Sequence, residues 1–329
     1  MTNNISKEEK ILIAGASGMA GNAIVHCLKK AGYGDKDYKG ELFTPSRNEL
    51  NLLNLNEVEE WFEMYNPSVV IIAAAKVGGI LANTTFPSEF LLDNLKIQNN
   101  LIETSWKRKV KRLLFLGSSC IYPKYAEQPI KEENLLDGKL EKTNESYAIA
   151  KIAGIKLCES LNIQYNFDAI SLMPTNMYGP GDHFEEKRSH ALGALIMKMV
   201  KARIEGKEEV IVWGTGAPVR EWMFVDDGAE SLIRGIKIPR SIDPINVGIG
   251  KGISIIDLAD LIKSETCYEG KLVFDKTKPD GAPFKTVDGS KGKRIFGWSP
   301  EKDLIEGIKE RIDSVGVEDL TDSIPITLS

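Results

Sequence analysis

The sequence predicts an α/β fold: a doubly wound parallel sheet followed by a smaller C-terminal α/β lobe. Three observations predict it. Short apolar runs rich in β-branched residues alternate with segments of helical spacing through the first half of the chain. Those runs lack polar alternation, as strands covered on both faces do. After Met173 the rhythm breaks at a turn-rich stretch, "PTNMYGPGDHF".

In chain order, strands are expected at Ile11–Ala14, Leu42–Thr44, Val69–Ala73, Leu113–Leu116 and Ala169–Met173. Helical spacing marks Leu91–Lys107 and Tyr147–Asn162. Beyond the break, "VIVW" (210–213) and "PINVG" (244–248) read as strands, Asp226–Lys237 and Ser254–Lys263 as short helices. "PINVG" is as apolar as the early strands, so the lobes are expected to interleave. The expected domains are 1–178, with segments near 225–250 returning to it, then a substrate lobe over 179–317 and a tail over 318–329. There is no internal repeat, and "GYGDKDYKG" lengthens the approach to the second strand without a role that chemistry assigns.

The 329 residues suffice for one large α/β domain or two lobes. A composition of 42% hydrophobic and 27% charged residues is that of a soluble globular chain rather than a disordered one. The formal charge of −5, with no basic block, argues against nucleic acid as a partner. "MTNNISKEEK" is no signal peptide, and Val69–Ala75 is too short an apolar run to cross a bilayer. Cys27, Cys120, Cys158 and Cys267 lie far apart, without the spacing of a metal site or disulfide framework. The expectation is a reduced, cytoplasmic protein with no bound metal and no membrane partner.

"ILIAGASGMAG" sets Gly15, Gly18 and Gly21 between the first strand and a helix starting near Met19. In that context the backbone of Gly15, Ala16, Ser17, Gly18, Met19, Ala20 and Gly21 suits a dinucleotide pyrophosphate at a helix N-terminus. The competing reading is an ordinary tight turn. The second strand runs into Ser46-Arg47 with no acid for a ribose 2′-hydroxyl. A guanidinium suits a 2′-phosphate, so the expected cofactor is NADP(H) on a Rossmann-type sheet. Arg47 as a solvated loop charge is the alternative.

"SYAIAK" puts Tyr147 and Lys151 four residues apart on one helix face, and Ser118 ends the fourth strand in "FLGSSC". An ammonium beside a phenol lowers its pKa, and Ser118 can donate to a carbonyl or share the proton of Tyr147. Such a group serves hydride transfer at a C–O centre.

The stretches "RNELNL", "AAAKVGGI", "FLGSSCIYPK", "NESYAIAKIAGIKLCES", "MPTNMYGP", "VIVWGTG", "VREWMFVDD" and "KPDGAPFK" span Gly15 to about Trp298. In them the chain resembles the extended short-chain dehydrogenase/reductase family, in its branch of 3,5-epimerase-4-reductases. The resemblance implies a homodimer that turns GDP-4-keto-6-deoxymannose into GDP-L-fucose with NADPH. It implies Cys120 and His190 as the acid/base pair at C3 and C5, with Ser118, Tyr147 and Lys151 at the C4 oxygen. Leu116, Gly117, Ser118, Ser119, Lys151, Pro174, Thr175, Asn176, Met177 and His190 would border the cofactor. Trp213 and Arg220 would meet the GDP part, with Lys198, Asp280 and Lys285 as further substrate contacts. The chain departs from the pattern at Ala16-Ser17 and Lys198, where relatives carry basic side chains or arginine; this bears on affinity, not reaction type.

Alone, Cys120 also reads as a small buried filler and His190 as a cap. Three rival functions remain. A reductase of another GDP-4-keto sugar would not need both Cys120 and His190. A 4,6-dehydratase needs an acid soon after the strand-end serine, where this chain reads Cys-Ile-Tyr. A non-catalytic NADP-sensing protein would not need Ser118, Tyr147 and Lys151 together.

Overall fold

The computed structural model describes residues 5–182 and 191–315. The first half comprises β1 (Lys10–Ala14), α1 (Met19–Lys30), β2 (Glu41–Phe43), α2 (Leu55–Tyr65), β3 (Val69–Ile72), α3 (Ile80–Thr85), α4 (Pro87–Lys107), β4 (Arg112–Leu116), α5 (Glu145–Tyr165) and β5 (Ala169–Pro174). The second half adds β6 (Asn176–Tyr178), α6 (Ala191–Glu205), β7 (Glu209–Trp213), β8 (Val219–Arg220), β9 (Trp222–Phe224), α7 (Val225–Lys237) and β10 (Ile245–Val247). It closes with β11 (Ile253–Ser254), α8 (Ile255–Glu265), β12 (Lys271–Asp275), β13 (Phe284–Lys285), α9 (Ser290–Phe296) and α10 (Leu304–Asp313).

Six strands form one parallel sheet in the order β10-β5-β4-β3-β1-β2. The chain leaves β1 toward β2 on one side and returns to β3 on the other. That reversal opens a crevice at the strand C-terminal ends between β1 and β3. The apolar runs are unbroken because helices cover both faces. Leu12, Val70, Ile72, Leu113 and Phe115 pack with Val58, Phe62, Leu101 and Ile155 of α2, α4 and α5. Ile13, Ile71, Leu114 and Leu116 pack with Ile24 and Leu28 of α1 and Leu232 and Ile236 of α7.

Some ends differ from the sequence expectation, for local reasons. β2 stops at Phe43, before Thr44 and Pro45, where proline offers no amide to a ladder. α4 starts at Pro87, an imino residue suited to a first turn, rather than at Leu91. α5 runs on to Tyr165 and stops at Asn166, in the left-handed region at φ 59°.

β10 pairs with β5, and α7 packs on α1, so the 225–247 segment belongs to the large sheet. A separate core gathers Leu192, Ile196, Val210, Val212, Leu258 and Ile308 beneath the parallel pair β7–β12. β11, β8 and β13 form a small three-stranded sheet, and β6 pairs with β9. No helix among the described residues is long and apolar enough to cross a membrane.

At the base of β4 the fully buried Arg112 closes the large sheet. Its fork donates to Asp168 Oδ2 at 2.7 and 3.1 Å and to the carbonyls of Ile236 and Ile238 at 2.6 and 2.7 Å. Those carbonyls lie at the end of α7, where intrahelical donors run out. One planar cation thus ties β4, the entry to β5 and α7 together. Asp168→Ala is expected to cost about 3–5 kcal/mol of stability, because it leaves the guanidinium buried without its countercharge. Urea unfolding measures this, and a loss below about 1 kcal/mol would show that the carbonyls alone hold Arg112.

Candidate active site

The crevice begins at the turn after β1. Gly15 sits at φ +89°, and a Cβ there would lie 2.6 Å from the backbone of Ala74 beyond β3. A Cβ at Gly21 would fall onto the carbonyl of Gly15, so α1 can seat on the turn only through glycine. The Gly18 amide donates to the Gly15 carbonyl at 3.1 Å, and Asn22 opens the helix by donating to Gly18 at 2.8 Å. Gly18 brings no side-chain cap, and the first turn of α1 carries no acid. The amides of Met19, Ala20 and Gly21 are thus left to an anion, and Ser17 and Gly18 are exposed beside them. Arg47 stands exposed past the end of β2. This cradle fits a dinucleotide diphosphate, with a guanidinium to spare for a further phosphate.

The second part grows from the mouth of β4. The Gly117 amide continues the ladder to the Leu172 carbonyl at 2.8 Å. Ser118 then turns extended, and its Oγ accepts from the Cys120 amide at 3.1 Å. It caps a single 3₁₀ turn, Ser119–Ile121, which presents the Cys120 thiol. The same hydroxyl lies beside the Tyr147 phenol and the Cys120 thiol, where it favours the ionised form of each. Tyr147 and Lys151 come from successive turns of α5.

Lys151 is 3% exposed and donates to the Leu116 carbonyl at 2.8 Å, with Nζ 4.8 Å from the Phe115 ring centroid and 5.9 Å from that of Tyr147. Burial pushes its pKa down to about 7. Burial likewise raises the Tyr147 phenol well above its ordinary value; negative charge on Cys120 adds to the rise and the Ser118 bond opposes it. The expectation that Lys151 lowers the phenol is therefore overturned. Desolvation weakens the ammonium, which is spent on a backbone carbonyl, so Tyr147 is present as a phenol, a proton donor.

Cys120 behaves in the opposite way. Burial raises its thiol, but the Lys285 ammonium 3.2 Å from Sγ, the Ser118 bond and Arg220 more than reverse this, leaving it below its ordinary value. Lys285 and Arg220 sit opposite each other in the parallel pairing of β13 with β8. The Arg220 fork donates to the carbonyls of Val219 at 2.8 Å and Asp280 at 3.1 Å. Both carboxylate oxygens of Asp280 accept from Thr215, from its amide at 2.7 Å and its hydroxyl at 2.8 Å. Asp280 thereby shapes a turn and aims Arg220. At the end of β7, the Trp213 ring has Lys198 and Lys278 ammonium groups 5.7 and 5.2 Å from its centroid.

Pro174 ends β5, and Thr175 to Met177 lead into β6. The Thr175 hydroxyl and the Asn176 amide both donate to the Glu221 carbonyl, at 3.3 and 3.0 Å. His190 lies outside the described residues. Sequence reasoning missed Lys278 and Glu221. A glutamate inside the apolar run "VREWMF" was the available signal for the second. Glu221 is fully buried; its carboxylate accepts from the amides of Ile249, Gly250 (3.0 Å) and Val287 (2.8 Å), and burial raises its pKa.

Glu221→Gln keeps the size but turns an NH₂ toward a backbone N–H. It is expected to cost roughly 2–4 kcal/mol, and Glu221→Ala more, by releasing three amide donors, that of Val287 buried. Chemical denaturation of both variants checks this, and a loss below about 1 kcal/mol in Glu221→Gln would show that the pocket only needs filling.

A family model described as the NAD dependent epimerase/dehydratase family matches residues 11–248. The chain is 47% identical over 307 residues to "GDP-L-fucose synthase 1" of Arabidopsis thaliana, covering 93% of each. It superimposes with a TM-score of 0.87 on a GDP-6-OMe-4-keto-L-xylo-heptose reductase from C. jejuni, at 33% identity over 94% of this chain and 98% of that one. A GDP-L-fucose synthetase from Naegleria fowleri bound to NADP gives a TM-score of 0.83 at 28% identity, covering 94% and 95% of the two chains.

Proposed function

The chain belongs to the NAD dependent epimerase/dehydratase family, and on that premise we propose that it converts GDP-4-keto-6-deoxy-D-mannose to GDP-L-fucose using NADPH. The reaction epimerises C3 and C5 and then reduces the C4 ketone. The observation that carries this reading is the Cys120 thiol, presented by the Ser118-capped turn, met by the Lys285 ammonium at 3.2 Å and set beside the Tyr147 phenol.

The C4 ketone acidifies the protons on C3 and C5, and each removal builds negative charge on the C4 oxygen. Ser118 and Tyr147 donate hydrogen bonds to that oxygen, so one pair of donors serves every step. Cys120 moves a proton on one face of the sugar, and His190 is assigned to the other face. NADPH, when bound, supplies hydride to C4. Tyr147 then gives its proton to the oxygen, and Lys151 orders the Leu116 carbonyl beside the cofactor. Gly15 to Gly21 and Arg47 hold the two phosphate ends of the dinucleotide. Arg220, Lys198 and Lys278 supply charge to the GDP diphosphate, and Trp213 its flat apolar face.

α4 and α5 lie side by side and leave Leu92 and Ile149 exposed, 51% and 44%. We place the two-fold of a homodimer there. The four unpaired cysteines suit the cytoplasm. Likeness to a heptose reductase supports a second reading, reduction of another GDP-4-keto sugar without epimerisation.

Product stereochemistry decides between them: the first reading requires GDP-L-fucose from the keto sugar and NADPH, with solvent deuterium at C3 and C5. Tyr147→Phe is expected to lower turnover by about 10²–10⁴ while leaving NADPH affinity nearly intact. Normal turnover in that variant would remove Tyr147 as the donor. Arg47→Ala is expected to cut the preference for NADPH over NADH by about one to two decades in binding. Equal use of both cofactors by the unmutated protein would end the NADP assignment.

A further inference from the structure

Lys285 stands where sequence reasoning expected a substrate contact, yet its ammonium is directed at sulfur, 3.2 Å from Cys120 Sγ. We propose that Lys285 is a positioning residue that holds Cys120 as a thiolate in the resting protein, so that the epimerase base is charged before substrate arrives. The proposal deepens the epimerase-reductase reading, but thiol ionisation is measured without substrate, so the two fail separately.

The geometry supports a built ion pair. Lys285 is half-buried on β13, fixed in register against Arg220 of β8, and the next residues are tied down on both sides. The Thr286 amide donates to Gln128 Oε1 at 2.9 Å, and the Val287 amide to the buried Glu221 carboxylate at 2.8 Å. The thiol itself is aimed by the Ser118-capped turn. The groups that face it are Lys285 from β13, Arg220 from β8, Ser118 from the β4 mouth and Tyr147 from α5, with Lys151 beyond the Tyr147 ring. Glu141 and Asp280 bear on Arg220. Two cations and a neutral phenol around one sulfur favour the thiolate. A lysine spent on the substrate alone would have no reason to meet the sulfur at hydrogen-bond distance.

The experiment follows alkylation of Cys120 by iodoacetamide against pH, read at the Cys120 peptide by mass spectrometry. In that step the thiolate sulfur forms the bond to carbon and iodide leaves. The unmutated protein is expected to show a midpoint below the ordinary thiol value of about 8.5. Lys285→Met is expected to raise the midpoint by about one unit or more, slowing alkylation at neutral pH about tenfold, while Lys285→Arg keeps it low. Solvent-deuterium exchange at C3 and C5 of the keto sugar should fall about as much in Lys285→Met, with little change in KM. A midpoint at or above about 8.5 in the unmutated protein overturns the proposal whether or not the variants fold. So does an unchanged midpoint in Lys285→Met with a raised KM, the signature of a substrate ligand. A midpoint that moves while exchange does not would uphold the ion pair and overturn the epimerase reading.

Discussion

The carboxylate of Glu221 fixes the relative positions of the parts that the site needs. It is buried between Arg220 and Trp222, and takes amide donors from the loop after β10 and from the segment after β13. Its own carbonyl takes the Thr175 hydroxyl and the Asn176 amide, so the exit of β5 hangs from the same residue. Burying a carboxylate is costly, as its raised pKa shows, and the amide bonds offset that cost only while both segments stay in place. Nearby, Gly248 is obligatory, since a Cβ there would meet Glu221 Oε1 and the Val287 side chain. Arg112 does the equivalent work at the N-terminal ends of the strands, holding them to a helix end rather than loops to a site.

Within that frame, burial and charge act against each other differently on each titratable group of the candidate site. Lys151 and Tyr147 sit where desolvation wins, and both shift toward their neutral forms. Cys120 sits where two cations win over the same desolvation. Ser118 joins the groups, and negative charge on Cys120 itself raises the phenol. A phenol shifted up and a thiol shifted down thus coexist beside one hydroxyl.

Much of this was legible in the sequence wherever the determinant was local. Apolar runs marked the five strands of the first half, because a strand covered on both faces carries a polar residue only where a partner meets it, as Asp168 meets Arg112. Gly15, Gly18 and Gly21 marked the turn because the backbone approach there excludes side chains. What escaped was set by contacts between distant segments. Lys285 and Cys120 are 165 residues apart, and no spacing rule joins them. Glu221 donates nothing to its own strand pattern; its partners come 28 to 66 residues later. Spacing put Tyr147 and Lys151 on one face but said nothing of depth, and depth decided the direction of both shifts.

The same depth has an energetic consequence for the fold. A lysine whose folded pKa is depressed to about 7, against about 10.4 for an exposed one, opposes folding. The penalty is full below neutrality, where both states are protonated, and fades as pH rises through the interval between the two values. The unfolded chain binds more protons across that interval, so the sign is fixed. Nothing in packing alone favours such a residue over methionine at the foot of α5, where Phe115 and the Leu116 carbonyl surround it. Under the proposed function that buried amine serves the chemistry, and Glu221, Arg112 and the two apolar cores hold the fold together around it.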